Sequence, residues 1–203
     1  MDGTIPSEPP RSLRRVPILP NGVMGMLIFI TAEVMFFAGM LSAFTIVRAS
    51  NLPMSWPPPG QPLLPATATG LNTAVLILSG LALWFAHRAY QKPAPSGAEG
   101  SKGGGLALAI CLALGLTFVG LQGWEWVRLL GQGLTMTSST LGSFFYLIIG
   151  VHGAHALAAL GLLAWALIKL RAGALKPSVF YTTQAFWYFV VGMWPVIYVR
   201  VYF

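Results

Sequence analysis

The chain is short of charge. Of its 203 residues only 5 are Asp or Glu and 12 are Lys or Arg, so charged side chains make up 8%. A soluble domain carries about a quarter. This shortage excludes an ordinary water-facing globule, and 56% hydrophobic residues with a mean hydropathy of +0.71 indicate an integral membrane protein. Cysteine is scarcer still. Cys111 stands alone inside an apolar run, which excludes a disulfide framework, a CxxC pair and a thiolate metal site. Histidine is limited to His87, His152 and His155. Three ligands are the usual need of a catalytic metal, and His87 stands apart beside Arg88, so the expectation is no metal and no haem held by this chain alone. The formal charge of +7 does not point to nucleic acid. Its Lys and Arg lie scattered between apolar runs and form no basic stretch studded with aromatics.

Long apolar runs take the place of charge. They cover 23–47, 66–90, 104–130, 137–170 and 179–203, each long enough to cross a bilayer as a helix. The runs lack period-2 alternation and are about twice the length of a barrel strand. The expected fold is therefore an all-α bundle of five transmembrane helices, one membrane domain over 23–203 behind an N-terminal tail at 1–22. The tail has several prolines and no short apolar core with a cleavage site, so the first run is expected to stay attached. An odd number of crossings puts the termini on opposite sides. Arg11, Arg14, Arg15, Arg88, Lys92, Lys102, Lys169, Arg171 and Lys176 flank one side, against Arg48, Arg128 and Arg200 on the other. The positive-inside rule then makes the N-terminus cytoplasmic and the C-terminus external. The segment 91–103 is rich in Gly, Pro and Ser and reads as a mobile cytoplasmic loop, whereas the Pro-rich segment 51–65 reads as a stiff strap across the outer helix ends. No long-period repeat is visible, which argues against an inverted-repeat transporter.

Against this apolar background the few polar residues stand out. Glu33 lies roughly 15 Å into its run, where a carboxyl group costs about 2.5–3.5 kcal/mol on insertion scales. It needs a partner. His152 and His155 are three residues apart and share one helical face, so they are the candidates. An imidazole can donate to a carboxylate, and a protonated carboxyl can donate to an imidazole. Asn72, Thr73, Gln122, Glu125 and Gln184 also fall within the runs. Their simplest role is interhelical hydrogen bonding, worth about 0.6 kcal/mol each. Glu125 precedes Arg128 by three residues, and a local ion pair at the interface is expected there. Gly39 with Ala43, and Ala154 with Ala158, have the small-xxx-small spacing that permits close helix approach.

The order of these residues resembles a known family. The run from Gly25 through Glu33 to Gly39 is similar to the glutamate-bearing helix of haem-copper (cytochrome c or quinol) oxidase subunit III. Trp56-Pro-Pro-Pro-Gly60, Leu64-Pro65 and Asn72-Thr73 with Ser79 look like the following loop and helix. Gln122-Gly-Trp-Glu125-Trp, Ser138-Ser-Thr-Leu-Gly-Ser143 and His152-Gly-Ala-His155 follow in the family's order. The resemblance covers 23–203 and points to the short five-helix bacterial form. It implies an accessory subunit without redox groups of its own, in a bacterial cytoplasmic (inner) membrane. Such a subunit packs on the catalytic subunit I, which carries haem and copper, beside the copper-bearing subunit II and any other respiratory subunits. It binds structural phospholipid and supports proton uptake during oxygen reduction coupled to proton pumping. Glu33, His152 and His155 would be its buried proton-side residues, and Asn72, Gln122, Glu125 and Arg128 its structural or interface residues. The last helix departs from the family pattern: Tyr188 and Val191 stand where a histidine and an aspartate are usual. That departure leaves open a relative associated with nitric oxide reductase. A proton-coupled transporter with Glu33 as proton carrier is a further alternative, from a different class.

Overall fold

The protein is described by a computed structural model covering residues 20–51, 60–91 and 99–203. The expectations for the tail, for the motif at 56–59 and for most of the mobile loop fall outside the described residues.

Scarce charge and a supply of Leu, Ala, Val and Ile leave these segments few ways to satisfy their backbone in lipid, and the helix closes every internal hydrogen bond within itself. Five helices result: α1 (Asn21–Asn51), α2 (Ala66–Gln91), α3 (Glu99–Gly131), α4 (Thr140–Arg171) and α5 (Pro177–Tyr202). All five are long and apolar enough to cross a membrane, and no strand occurs among the described residues. The fourth helix starts at Thr140, three residues later than its apolar run. Ser138 Oγ bonds the backbone of Thr135, and Ser139 Oγ accepts the Gly142 N–H at 3.0 Å as an N-cap, so hydroxyls hold 135–139 in a turn. Gly133 and Gly173, with φ of 88° and 65°, let the chain leave α3 and α4 in the left-handed region. Proline opens α5 at its first turn, where no N–H is needed, and recurs inside it as Pro195.

α2, α3, α4 and α5 form a closed ring in which each helix packs on the next, and the α2/α3 contact is the most extensive. α1 stands outside the ring, against α5 and, more lightly, α4. The helices run up and down. At one end the Tyr90 hydroxyl of α2 reaches the Leu175 carbonyl of the α4–α5 link, and Gly22 of α1 lies beside Thr182. At the other end Tyr198 of α5 donates to the Ala66 carbonyl, and Arg48 of α1 donates to the carbonyl of Phe203. The core is aromatic: Phe37, Phe44, Phe118, Phe145, Trp187 and Trp194 are essentially fully buried.

The closest helix approaches are not where small-xxx-small spacing suggested. Gly39, Ala43, Ala154 and Ala158 all face outward. Instead the α2 backbone approaches α3 at Gly104, where an added methyl would meet the Ala86 carbonyl at 3.7 Å, and Gly115 of α3 leaves room for the Leu160 and Trp187 side chains, which an added methyl would meet at 2.7 and 2.8 Å.

Candidate functional site

Two polar clusters occupy the bundle. The first joins α1 to α4. Glu33 lies about 5 Å along the axis from the midpoint of α1, and His155 lies close to the midpoint of α4. His155 Nε2 is 3.2 Å from Glu33 Oε2, with side chains 16% and 19% exposed. The other ring nitrogen, Nδ1, is 2.8 Å from the Val151 carbonyl. A carbonyl oxygen can only accept, so Nδ1 carries the hydrogen of that bond. In the neutral ring Nε2 is then a bare acceptor facing a carboxyl oxygen. Two acceptors repel, so a favourable contact holds one extra proton, on Nε2 as an imidazolium or on Glu33 as a carboxylic acid. Glu33 Oε2 has no aligned hydrogen-bond partner. Phe29, Phe37, Phe186 and Phe189 surround the imidazole with ring centroids 5.7–6.1 Å away. His152 does not join this pair. It is turned inward, 1% exposed, against Trp194 and Phe37, and neither of its nitrogens has a partner.

The second cluster joins α2, α3 and α5. Glu125 is buried and accepts from Thr69 Oγ1 at 2.7 Å and from Gln122 Nε2 at 2.9 Å. Asn72 Nδ2 donates to the Phe118 carbonyl at 3.1 Å and to Gln122 Oε1 at 3.3 Å. Tyr202 closes the cluster from α5, 3.4 Å from Gln122. The expected ion pair of Glu125 with Arg128 does not form among the described residues. Glu125 turns into the α2/α3 contact, while Arg128 stays exposed, because a hydroxyl and an amide inside the bundle supply the hydrogen bonds that the carboxylate needs. Sequence reading missed Thr69 and Tyr202. The signal for Thr69 was its spacing, since 69, 72, 73 and 76 trace one helical face and all are buried.

Replacing Glu125 with leucine strands a Gln122 Nε2 hydrogen in the bundle, whereas the Thr69 hydroxyl still has the Pro65 carbonyl at 3.1 Å, and the change is expected to cost about 1–2 kcal/mol. Adding Gln122→Leu removes the stranded donor and should recover part of the loss. Thermal unfolding of the detergent-solubilised variants, followed by circular dichroism, checks both.

Tyr188, at the family's histidine place, is 36% exposed, and Gln184 Nε2 lies 3.2 Å from its hydroxyl. Val191, at the aspartate place, packs on Gly80 of α2. A tyrosine and a valine thus fill this stretch of α5 by local bonding and packing. Among the described residues no group of three or more His, Cys, Asp or Glu could hold a metal ion.

These features define a multi-pass helical membrane protein whose interior is organised by a hydrogen-bonded carboxyl cluster at Glu125 and a Glu33–His155 contact. Residues 16–203 match the family model of cytochrome c oxidase subunit III. The chain is 32% identical over 186 residues to cytochrome c oxidase subunit 3 of Ornithorhynchus anatinus, covering 88% of this chain and 67% of that protein. It is 31% identical over 194 residues to that of Paracentrotus lividus, covering 91% and 70%, and 32% identical over 195 residues to that of Mus musculus, covering 92% and 71%. The chain belongs to the cytochrome c oxidase subunit III family and is an accessory subunit of a haem-copper oxidase.

Proposed function

We propose that the chain packs on the catalytic subunit I of its oxidase beside the copper-bearing subunit II, with haem and copper confined to those partners, in the cytoplasmic membrane of a bacterium. It acts there by packing and holds no active site of its own. Its role is to cover part of the catalytic subunit's lipid-facing surface, to retain structural phospholipid and to keep protons and water available near the cytoplasmic entrance of the proton path. The exposed apolar surface of α1 supports this reading. Only 6% of its most apolar window is buried within the chain, against 28–44% for the other four helices, so this helix has the most surface left for lipid or a neighbouring subunit.

The domain reading is a single membrane unit over 23–203 behind a cytoplasmic tail at 1–22, with the N-terminus inside and the C-terminus outside. Its support is the charge at the two ends of the bundle: Arg88, Lys169, Arg171 and Lys176 lie at one, and Arg48, Arg128 and Arg200 at the other.

The observation that carries the functional reading is the Glu33–His155 contact. It ties the otherwise peripheral α1 to α4 through a carboxyl and an imidazole close to mid-helix. Glu33 is the anchor and proton-side residue, His155 its partner, and His152 the neighbouring interior residue. Asn72, Gln122 and Glu125 hold α2, α3 and α5 together, with Arg128 at the external interface.

The expected result of Glu33→Ala is an oxidase that starts at near-normal turnover but inactivates several-fold faster during sustained oxygen reduction and loses this subunit more readily on purification. Oxygen-electrode traces and subunit stoichiometry after detergent extraction read the two effects. Complete inactivation from the first turnover, with assembly intact, would overturn the accessory role.

A further inference from the structure

Where α1 and α5 finish, a groove of about 390 Å³ opens between them, lined by Thr45, Arg48 and Ala49 on one side and Val199, Arg200 and Phe203 on the other. Two guanidinium groups flank it, and no acidic side chain does. Arg48 is held at its rim by a hydrogen bond to the Phe203 carbonyl, while Arg200 is exposed. The chain's acidic residues are Asp2, Glu8, Glu33, Glu99 and Glu125, so the links 52–65 and 132–139 at this end hold none, and Glu125 is taken up by Thr69 and Gln122. Among the described residues no carboxyl side chain pairs with Arg200, and its counter-charge is left to the surroundings. By helix rise Arg200 lies about 16 Å from the midpoint of α5 and Arg48 about 18 Å from that of α1. Both stand just beyond the roughly 15 Å half-thickness of the hydrocarbon core, where lipid phosphates begin.

We propose that this groove seats one anionic phospholipid, of the phosphatidylglycerol class, with its phosphate between Arg48 and Arg200 and one acyl chain running down the α1/α5 seam. The planar fork of donors on a guanidinium matches phosphate oxygens. Two such forks favour a headgroup of net negative charge over one whose own cation would face them. The seam below suits the acyl chain. Thr45 and Ala49 continue along α1 into Ser42 and Ala38, and Val199 continues along α5 into Val196, Gly192 and Tyr188, all of them exposed. Small side chains keep this furrow open, and a Cβ added at Gly192 would meet nothing within 4 Å. From Val199 to Tyr188 it runs about 16 Å, the depth of one leaflet's hydrocarbon. The site gives the phospholipid retained in the accessory role a headgroup class and a place, and it rests on that role.

The test is native mass spectrometry of the full-length chain, delipidated in detergent and titrated with phosphatidylglycerol or with phosphatidylcholine of the same acyl chains. One phosphatidylglycerol is expected to bind at least tenfold more tightly than phosphatidylcholine. Arg200→Gln should weaken it at least fivefold and Arg200→Lys less. Arg128→Gln removes the same charge from the same end, but on the α2/α3 side, and should leave binding unchanged. Gly192→Leu, which fills the furrow from a position with open space, should weaken it as well. Equal affinity for the two lipids, equal weakening by Arg200→Gln and Arg128→Gln, or wild-type binding by a folded Gly192→Leu protein would each overturn the proposal. Subunit stoichiometry of the wild-type oxidase reads the packing role separately, so a retained subunit without selective lipid binding overturns the site alone.

Discussion

Replacing Gly142 with alanine is expected to destabilise the protein by about 3 kcal/mol, at the upper end of what overpacking costs. The new methyl would stand well inside contact distance of the Thr135 carbonyl oxygen, with Ser138 Oγ only 3.2 Å away. Neither neighbour is free to move aside. The carbonyl is backbone, and Ser138 Oγ is bonded to both the N–H and the carbonyl of Thr135. Relief requires the start of α4 to draw back from the preceding turn. That motion also strains the Ser139 cap, itself worth about 1 kcal/mol, and the 2.7 Å bond from Tyr146 to the Leu134 carbonyl. Gly153→Ala is the matched control, because its methyl meets nothing within 4 Å and alanine favours the helix by up to about 1 kcal/mol. Thermal unfolding of the two variants side by side should give shifts of opposite sign. A Gly142→Ala protein as stable as the parent would show that the close approach is absent.

Trp194→Ala is expected to be at least as damaging, at about 3–5 kcal/mol. The indole is fully buried where four helices meet. It lies 5.0 Å from the Phe118 ring of α3 and 5.0 Å from the His152 ring of α4, and its Nε1 donates at 2.9 Å to Thr73 Oγ1 of α2. No apolar driving force separates protein from lipid tails, so packing and hydrogen bonds of this kind carry much of the association. Truncation removes both at once and leaves a void. Trp194→Phe keeps a ring but loses the N–H donor and part of the filled volume. The Thr73 hydroxyl still donates to the Thr69 carbonyl at 2.7 Å, so this milder change should cost about 1 kcal/mol. Unfolding midpoints in a denaturing-detergent titration should rank the parent first, then phenylalanine, then alanine. Equal midpoints for the two variants would mean that the indole N–H, and not the filled volume, dominates.

The helices were legible because lipid leaves a sequence little choice. A run without charge that is long enough to cross must satisfy its own backbone, and each of the five helices overlaps an apolar run read directly from the chain. Misjudged was the point at which hydroxyls compete with the helix, at Ser138 and Ser139. Apolar periodicity does not register a side chain that bonds its own backbone. Within the sites, spacing placed His152 and His155 on neighbouring positions of one helix but did not say which would face α1. A difference of three residues turns a ring by about 60°, enough to put one imidazole beside Glu33 and the other against Trp194. Glu125 shows a deeper limit. Nearness along the chain favoured Arg128, whereas the carboxylate accepts from Thr69 on another helix, a pairing carried by tertiary contact alone.

The position of α1 has a consequence for biogenesis. Of the five helices, the one made first packs on the two made last, since among the described residues its contacts are with α4 and α5. During synthesis α1 therefore resides in the bilayer with Glu33 unmatched until His155 arrives. α1 can then complete the aromatic core, adding Phe37 and Phe44, only once α4 and α5 are in place. Among these five helices the first inserted is the last to find its partners, and an insertion factor or a neighbouring subunit has that interval in which to shelter its carboxyl group.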